Sequence, residues 1–142
     1  MASTVSRPSI TIEAAQKAIA AAEAKAREIG VPMSIAICDE SGVLKAFSRM
    51  DGGALLSIQI AQDKAYTAVG FGMPTHAWYP FIKDDGPLAL GIPKTDRLII
   101  FGGGYPIRID GAIVGAIGAS GGHYTQDQQC AEAGLAAIEG AS

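Results

Sequence analysis

The chain has 142 residues, of which 49% are apolar, and carries 11 Lys and Arg against 14 Asp and Glu for a net charge of −3. That is enough apolar material to bury one core, so a single domain over residues 1–142 is expected, with residues 1–8 as a flexible tail. A slightly acidic chain with scattered cations lacks the basic face that nucleic-acid phosphates need, and no run approaches the roughly 18 apolar residues of a membrane helix.

The opening residues Met1 to Pro8 carry no apolar run of signal-peptide length, so a cytoplasmic protein is expected. Thr11 precedes an alanine-rich run from Ile12 to Ile29 that stops at Gly30, which predicts a first helix from cap to stop signal. Met33 to Cys38 and Val43 to Ser48 read as a hairpin around Asp39-Glu40-Ser41-Gly42. Arg49, Met50 and Asp51 then leave the second strand just before Gly52-Gly53, so polar groups collect where a sheet ends.

Leu55 to Val69 predicts a second helix ending at Gly70, with Lys64 inside it beside Asp63. Phe71 to Gly91 is broken by prolines, and Thr75 caps a short expected helix through Ile82 that carries His76, Trp78, Tyr79 and Phe81. Such a segment suits either a cover over a pocket or a contact with another subunit.

Leu98 to Phe101 reads as a strand, followed by Gly102-Gly103-Gly104, a strand from Tyr105 to Ile109, an Asp110-Gly111 turn and a strand from Ala112 to Ala119. Gly115 and Gly118 inside that last strand mark a close approach, by packed backbone or by a ligand. Thr125 and Gln128 have capping-box spacing and predict a final helix from Gln126 to about Glu139. The order α-β-β-α-(short α)-β-β-β-α describes an α+β domain with an antiparallel sheet of about five strands built from hairpins and flanked by helices. Cys38 and Cys130 lack Cys-x-x-Cys spacing and are expected to be buried thiols.

The sequence contains no phosphate-binding Gly-x4-Gly-Lys-Ser/Thr loop, no His-Glu-x-x-His, no Cys-x-x-Cys-His and no Gly-x-Ser-x-Gly. What stands out instead is a pair of histidines, His76 and His123, both outside the long regular elements. An imidazole at His123, directly after Ser120-Gly121-Gly122, can ligate haem iron, act as a general base, or bond a backbone carbonyl.

Gly102-Gly103-Gly104-Tyr105-Pro106-Ile107, Val114-Gly115-Ala116-Ile117-Gly118 and Ser120-Gly121-Gly122 closely resemble the GlcG/HbpS-like family, which includes the C-terminal module of PduO-type proteins. Arg49-Met50-Asp51-Gly52 and Asp63-Lys64-Ala65-Tyr66-Thr67-Ala68 resemble the family's other two motifs, in the same order. The resemblance spans nearly the whole chain and implies a profilin-like domain, homo-oligomers, and binding of haem or another tetrapyrrole, with a link to haem degradation. In that reading His123 or His76 supplies the axial ligand, and Arg49, Lys64 or Arg108 pairs with propionates.

A second reading is a small catabolic enzyme, an isomerase, tautomerase or hydrolytic enzyme acting on an oxygenated or aromatic-derived carboxylate. There His123, with His76, is acid and base, Arg49 or Lys64 holds the carboxylate, and Asp51 and Arg108 count among the ligand-binding residues. Backbone amides of Gly102, Gly103 and Gly104, or of Gly121 and Gly122, would steady a developing oxyanion, and Tyr105 and Ser120 count among the ligand-binding residues. A third is an accessory oligomeric subunit whose glycines serve packing alone.

Overall fold

The computed structural model describes residues 2–139. Helix α1 (Ile12–Ile29) is followed by strands β1 (Ser34–Asp39) and β2 (Leu44–Arg49) and helix α2 (Ser57–Phe71). A 3₁₀ turn at Thr75–Ala77, short helices α3 (Trp78–Ile82) and α4 (Gly86–Gly91) and a second 3₁₀ turn at Ile92–Lys94 come next. Strands β3 (Gly104–Ile109) and β4 (Ala112–Ser120) and helix α5 (Tyr124–Glu139) complete the domain. The fold is α+β, with one antiparallel sheet in the order β2-β1-β4-β3. Helices α1 and α5 cover one face and α2 the other. Among the described residues no helix is long and apolar enough to cross a membrane.

Because both faces are covered, the central strands are buried almost throughout, and alternate side chains divide between the faces by size. Ile35, Ile37 and Ile117 enter the main core with Ala18, Ala22, Cys130 and Ala131 of α1 and α5. Cys38 and Ala116 meet Ala65 and Ala68 of α2. Gly118 pairs with Ala36 on one side and Gly104 on the other, so a row of small residues crosses the sheet under α2. A Cβ on Gly118 would run into the carbonyl of Ala61 and, at 2.7 Å, the amide nitrogen of Ala65. This explains one strand glycine by helix-on-sheet contact. Gly115 has a different cause, since its Cβ would strike the carbonyl of Cys38 in the neighbouring strand.

The local signals for α1 and the last hairpin act as read. Thr11 Oγ1 accepts the Ala14 amide at 3.1 Å, Gly30 closes the helix at φ 72°, and Asp110 and Gly111 take φ 52° and 82° in the turn.

Several boundaries differ from expectation, the start of α2 at Ser57 rather than Leu55 among them. The sheet has four strands rather than five, because Leu98 to Phe101 is not paired with it. Arg97 adopts φ 65°, and the Thr67 hydroxyl in α2 donates to Arg97 O at 2.8 Å and accepts from the Ile99 amide at 3.0 Å. A helix side chain thus satisfies backbone groups that a ladder would otherwise use. Helix α2 runs through Gly70, and the left-handed cap is Gly72, at φ 68°, whose amide donates to Ala68 O. Helix α5 starts at Tyr124, two residues before its expected start. The box that opens it is formed by His123 and Gln126, whose Oε1 accepts the His123 amide at 3.0 Å.

Two tests follow from this packing. Gly118→Ala should lower the free energy of unfolding by about 1–3 kcal/mol through overpacking against α2. Gly70→Ala, in the same helix with open space around it, should raise it by about 0.5–1 kcal/mol. Urea titration of both variants checks the opposite signs. Burial pushes the Cys38 thiol up to about 12 and the Cys130 thiol up to about 11. Neither should therefore react with Ellman's reagent in the native protein at neutral pH, and both should react once it is unfolded.

Candidate functional site

The break between α2 and β3 creates a cavity of about 360 Å³ lined by His76, Tyr79, Pro80, Ile100, Phe101, Gly102 and Tyr124. Thr75 anchors its floor: it is fully buried, and its hydroxyl accepts the Gly104 amide at 2.9 Å at the first residue of β3. That bond holds the 3₁₀ turn against the sheet end and leaves the next residue, His76, exposed on the cavity wall. The His76 ring packs 5.6 Å from that of Tyr105, whose hydroxyl donates to Glu132 Oε2 at 2.8 Å. Burial first, then the Glu132 carboxylate, holds the Tyr105 phenol above its ordinary range, so it stays protonated and keeps this bond.

Beside the cavity lies a buried ion pair. Lys64 is 0% exposed, and its Nζ donates to Asp127 Oδ2 at 2.6 Å and to Ala119 O at 2.9 Å. The other Asp127 oxygen accepts the Gly122 amide at 3.0 Å. Burial pushes the Lys64 ammonium below its usual range, opposed by the charge and hydrogen bond of Asp127. Gly103, at φ 123°, passes so close that a Cβ there would lie 2.6 Å from Nζ. The Phe101 ring, a wall of the cavity, has its centroid 5.2 Å from the same Nζ.

The residues singled out in the sequence divide among four places. His76, Lys64, Gly103, Gly104, Tyr105 and Gly122 gather at this end of the sheet, where Ser120 ends β4 and Gly121 follows it. His123 stands at the mouth of α5. Its Nδ1 lies 2.9 Å from Thr125 Oγ1 and accepts the Thr125 amide at 3.3 Å, so one ring nitrogen is committed to the helix start. Its ring stacks 4.1 Å from Tyr124, which does line the cavity. Arg49 and Asp51 sit elsewhere, in a polar groove of about 310 Å³ with Glu23, Arg27 and Met50 at the β2 edge. Arg108 is at the far end of the sheet beside the hairpin turn, donating to Gly72 O at 3.3 Å.

Asp127, Phe101 and Tyr124 belong to this neighbourhood and were not singled out. The signal for Asp127 was present: Ala61, Lys64, Ala65 and Ala68 occupy one helical stripe, and a lysine in such a stripe requires a buried acid. An acid in the first turn of a helix, as Asp127 is in α5, is the natural donor of that charge.

A family model described as "Haem degrading protein HbpS-like" matches residues 10–136. The chain belongs to the HbpS-like family. An uncharacterised 15.0 kDa protein from the dhaT-dhaS intergenic region of Citrobacter freundii is 39% identical over 127 residues, 89% of each chain. Corrinoid adenosyltransferase PduO of Citrobacter freundii is 35% identical over 119 residues, which is 83% of this chain and 36% of the enzyme. Among solved structures, Klebsiella pneumoniae ORFY superposes with a TM-score of 0.91 at 33% identity, covering 98% of this chain and 97% of ORFY. A PduOC:haem complex superposes with a TM-score of 0.84 at 30% identity, covering 92% and 95%.

For this HbpS-like chain the ion pair generates a stability prediction. Asp127→Ala leaves an ammonium buried without its acid and should cost about 3–5 kcal/mol, whereas Lys64→Met combined with Asp127→Leu should recover most of the loss. Chemical denaturation of the single and double variants measures the difference. Equal losses in both would mean that shape, not charge, dominates there.

Proposed function

We propose that the protein binds haem or a related tetrapyrrole in the cavity, with His76 supplying the axial nitrogen. The observation that carries this reading is an imidazole on the wall of an otherwise apolar, aromatic-lined cavity. Its volume, about 360 Å³, lies within the roughly 300–1,000 Å³ typical of small-molecule sites. The donor set fits the group. Among the described residues no three His, Cys, Asp or Glu side chains converge on a point that could cage a bare ion. A single nitrogen beside aromatic walls suits a metal that arrives already held by a macrocycle.

When bound, haem would supply an iron centre whose ligand affinity and potential are set by the axial residue and the polarity around it. The chain's own residues do the rest. Tyr79, Pro80, Ile100 and Tyr124 would shield the bound group from water, and Thr75 fixes the turn that presents His76. The haem complex of PduOC, a 30% identical relative, supports this reading. Homo-oligomerisation is part of it: Tyr79, Phe81, Leu55 and Leu56 are all more than half exposed and suit burial against a second copy.

Haemin titration of the parent, His76→Ala and His123→Ala followed by visible absorption tests the assignment. A saturable Soret band in the parent and in His123→Ala, with affinity roughly tenfold or more weaker in His76→Ala, is the expected result. Unsaturable binding, or identical bands in all three proteins, would overturn it. Decay of the band under ascorbate and air would extend the reading to haem degradation, and a stable band would confine it to binding.

A further inference from the structure

The ammonium of Lys64 carries three N–H groups. Two are used, on Asp127 Oδ2 at 2.6 Å and Ala119 O at 2.9 Å. For the third there is no oxygen or nitrogen acceptor among the described residues, and the Phe101 ring, centred 5.2 Å from Nζ, is its aromatic neighbour. A ring face is a weak substitute for a hydrogen-bond acceptor at a fully desolvated charge.

Phe101 is also the residue best placed to yield. It lies outside the sheet, in the run whose ties to α2 come before it, at Arg97 through the Asp63 ion pair and at Arg97 O and the Ile99 amide through Thr67, and it is 41% exposed. Its ring therefore belongs both to the cavity of His76, Tyr79 and Tyr124 and to the surroundings of the buried ammonium.

We infer that the cavity and Lys64 together form a binding site for a small, flat, neutral carbonyl compound. Its apolar body lies against Tyr79, Ile100 and Tyr124, and its carbonyl oxygen replaces the Phe101 ring at Nζ. Charge decides the ligand class. Asp127 already neutralises Lys64, so a ligand carboxylate would add an uncompensated negative charge beside a buried acid. A neutral carbonyl satisfies the third N–H without that penalty. The site rests on the cavity and the ion pair and not on haem, so it stands or falls separately from the tetrapyrrole reading.

The experiment uses haem-free protein at pH 7 and three probes of similar shape, acetophenone, ethylbenzene and benzoate, followed by saturation-transfer NMR. Acetophenone should bind roughly tenfold or more tightly than either of the others. Phe101→Ala, which removes the competing ring, should strengthen acetophenone binding further. The charge-free Lys64→Met/Asp127→Leu double variant should bind acetophenone and ethylbenzene alike, and it serves should Lys64→Met alone fail to fold. Equal affinity for acetophenone and ethylbenzene in the parent and in Phe101→Ala would overturn the inference, as would a preference for benzoate. Loss of the Soret band in the haemin titration would leave this result untouched.

Discussion

The Lys64–Asp127 pair is the constraint on which the site end of the molecule depends. An ammonium with no solvent contact has to be neutralised where it lies. Here that requirement ties α2, through Lys64, to two elements that lie far from it in sequence: the end of β4 through Ala119 O and the first turn of α5 through Asp127. The carboxylate is supported in turn by the helix N-terminus and by the Gly122 amide. Two charges can remain buried together because the remaining oxygen of the acid is also satisfied.

The glycines follow from the same geometry. For Nζ to reach both partners, α2 must lie almost on the sheet, and the row Ala36, Gly118, Gly104 supplies a surface with a single methyl group to hold it apart. Gly103 passes beside Nζ at a φ that favours glycine, and Ala119 in β4 donates its amide to the Gly103 carbonyl at 2.9 Å. A glycine-rich stretch that could be taken for a ligand-cradling loop is thus occupied, for the most part, by the protein's own backbone and by a lysine. What it leaves open is the cavity on the Phe101 side.

Much of the fold was legible because its signals are local. Thr11 and Gly30 bound α1, and Asp110-Gly111 forms its turn, each by a backbone preference that needs no distant partner. The failures arose where a distant group overrode the local pattern. Leu98 to Phe101 has the composition of a strand, but the Thr67 hydroxyl, about thirty residues earlier, accepts from the Ile99 amide and donates to the carbonyl of Arg97 just before the run, and no propensity records that. Gly70 reads as a stop although α2 continues through Phe71 and is closed by the left-handed Gly72, whose amide donates to Ala68 O. In the site, His76, Lys64 and the glycine run were visible as residue types. Their grouping was not, since Arg49, Asp51 and Arg108 look equally suitable in the sequence and lie in other parts of the fold.

The two histidines show why residue type alone could not rank them. His123 has the more suggestive neighbours in sequence, a Ser-Gly-Gly run and the start of a helix. That same position engages its ring, because the first amides of α5 need acceptors and Nδ1 provides one for Thr125. His76 has Thr75 alone as a polar neighbour in the sequence. Its turn is fixed by Thr75, the residue before it, through a bond to the first amide of β3, and this leaves the imidazole facing the cavity rather than the backbone. A histidine already used as a cap has one nitrogen left to offer and a ring orientation chosen by the helix. A histidine presented by a rigid turn can meet a ligand without first giving up a structural bond, and it is this difference in prior commitment that favours His76.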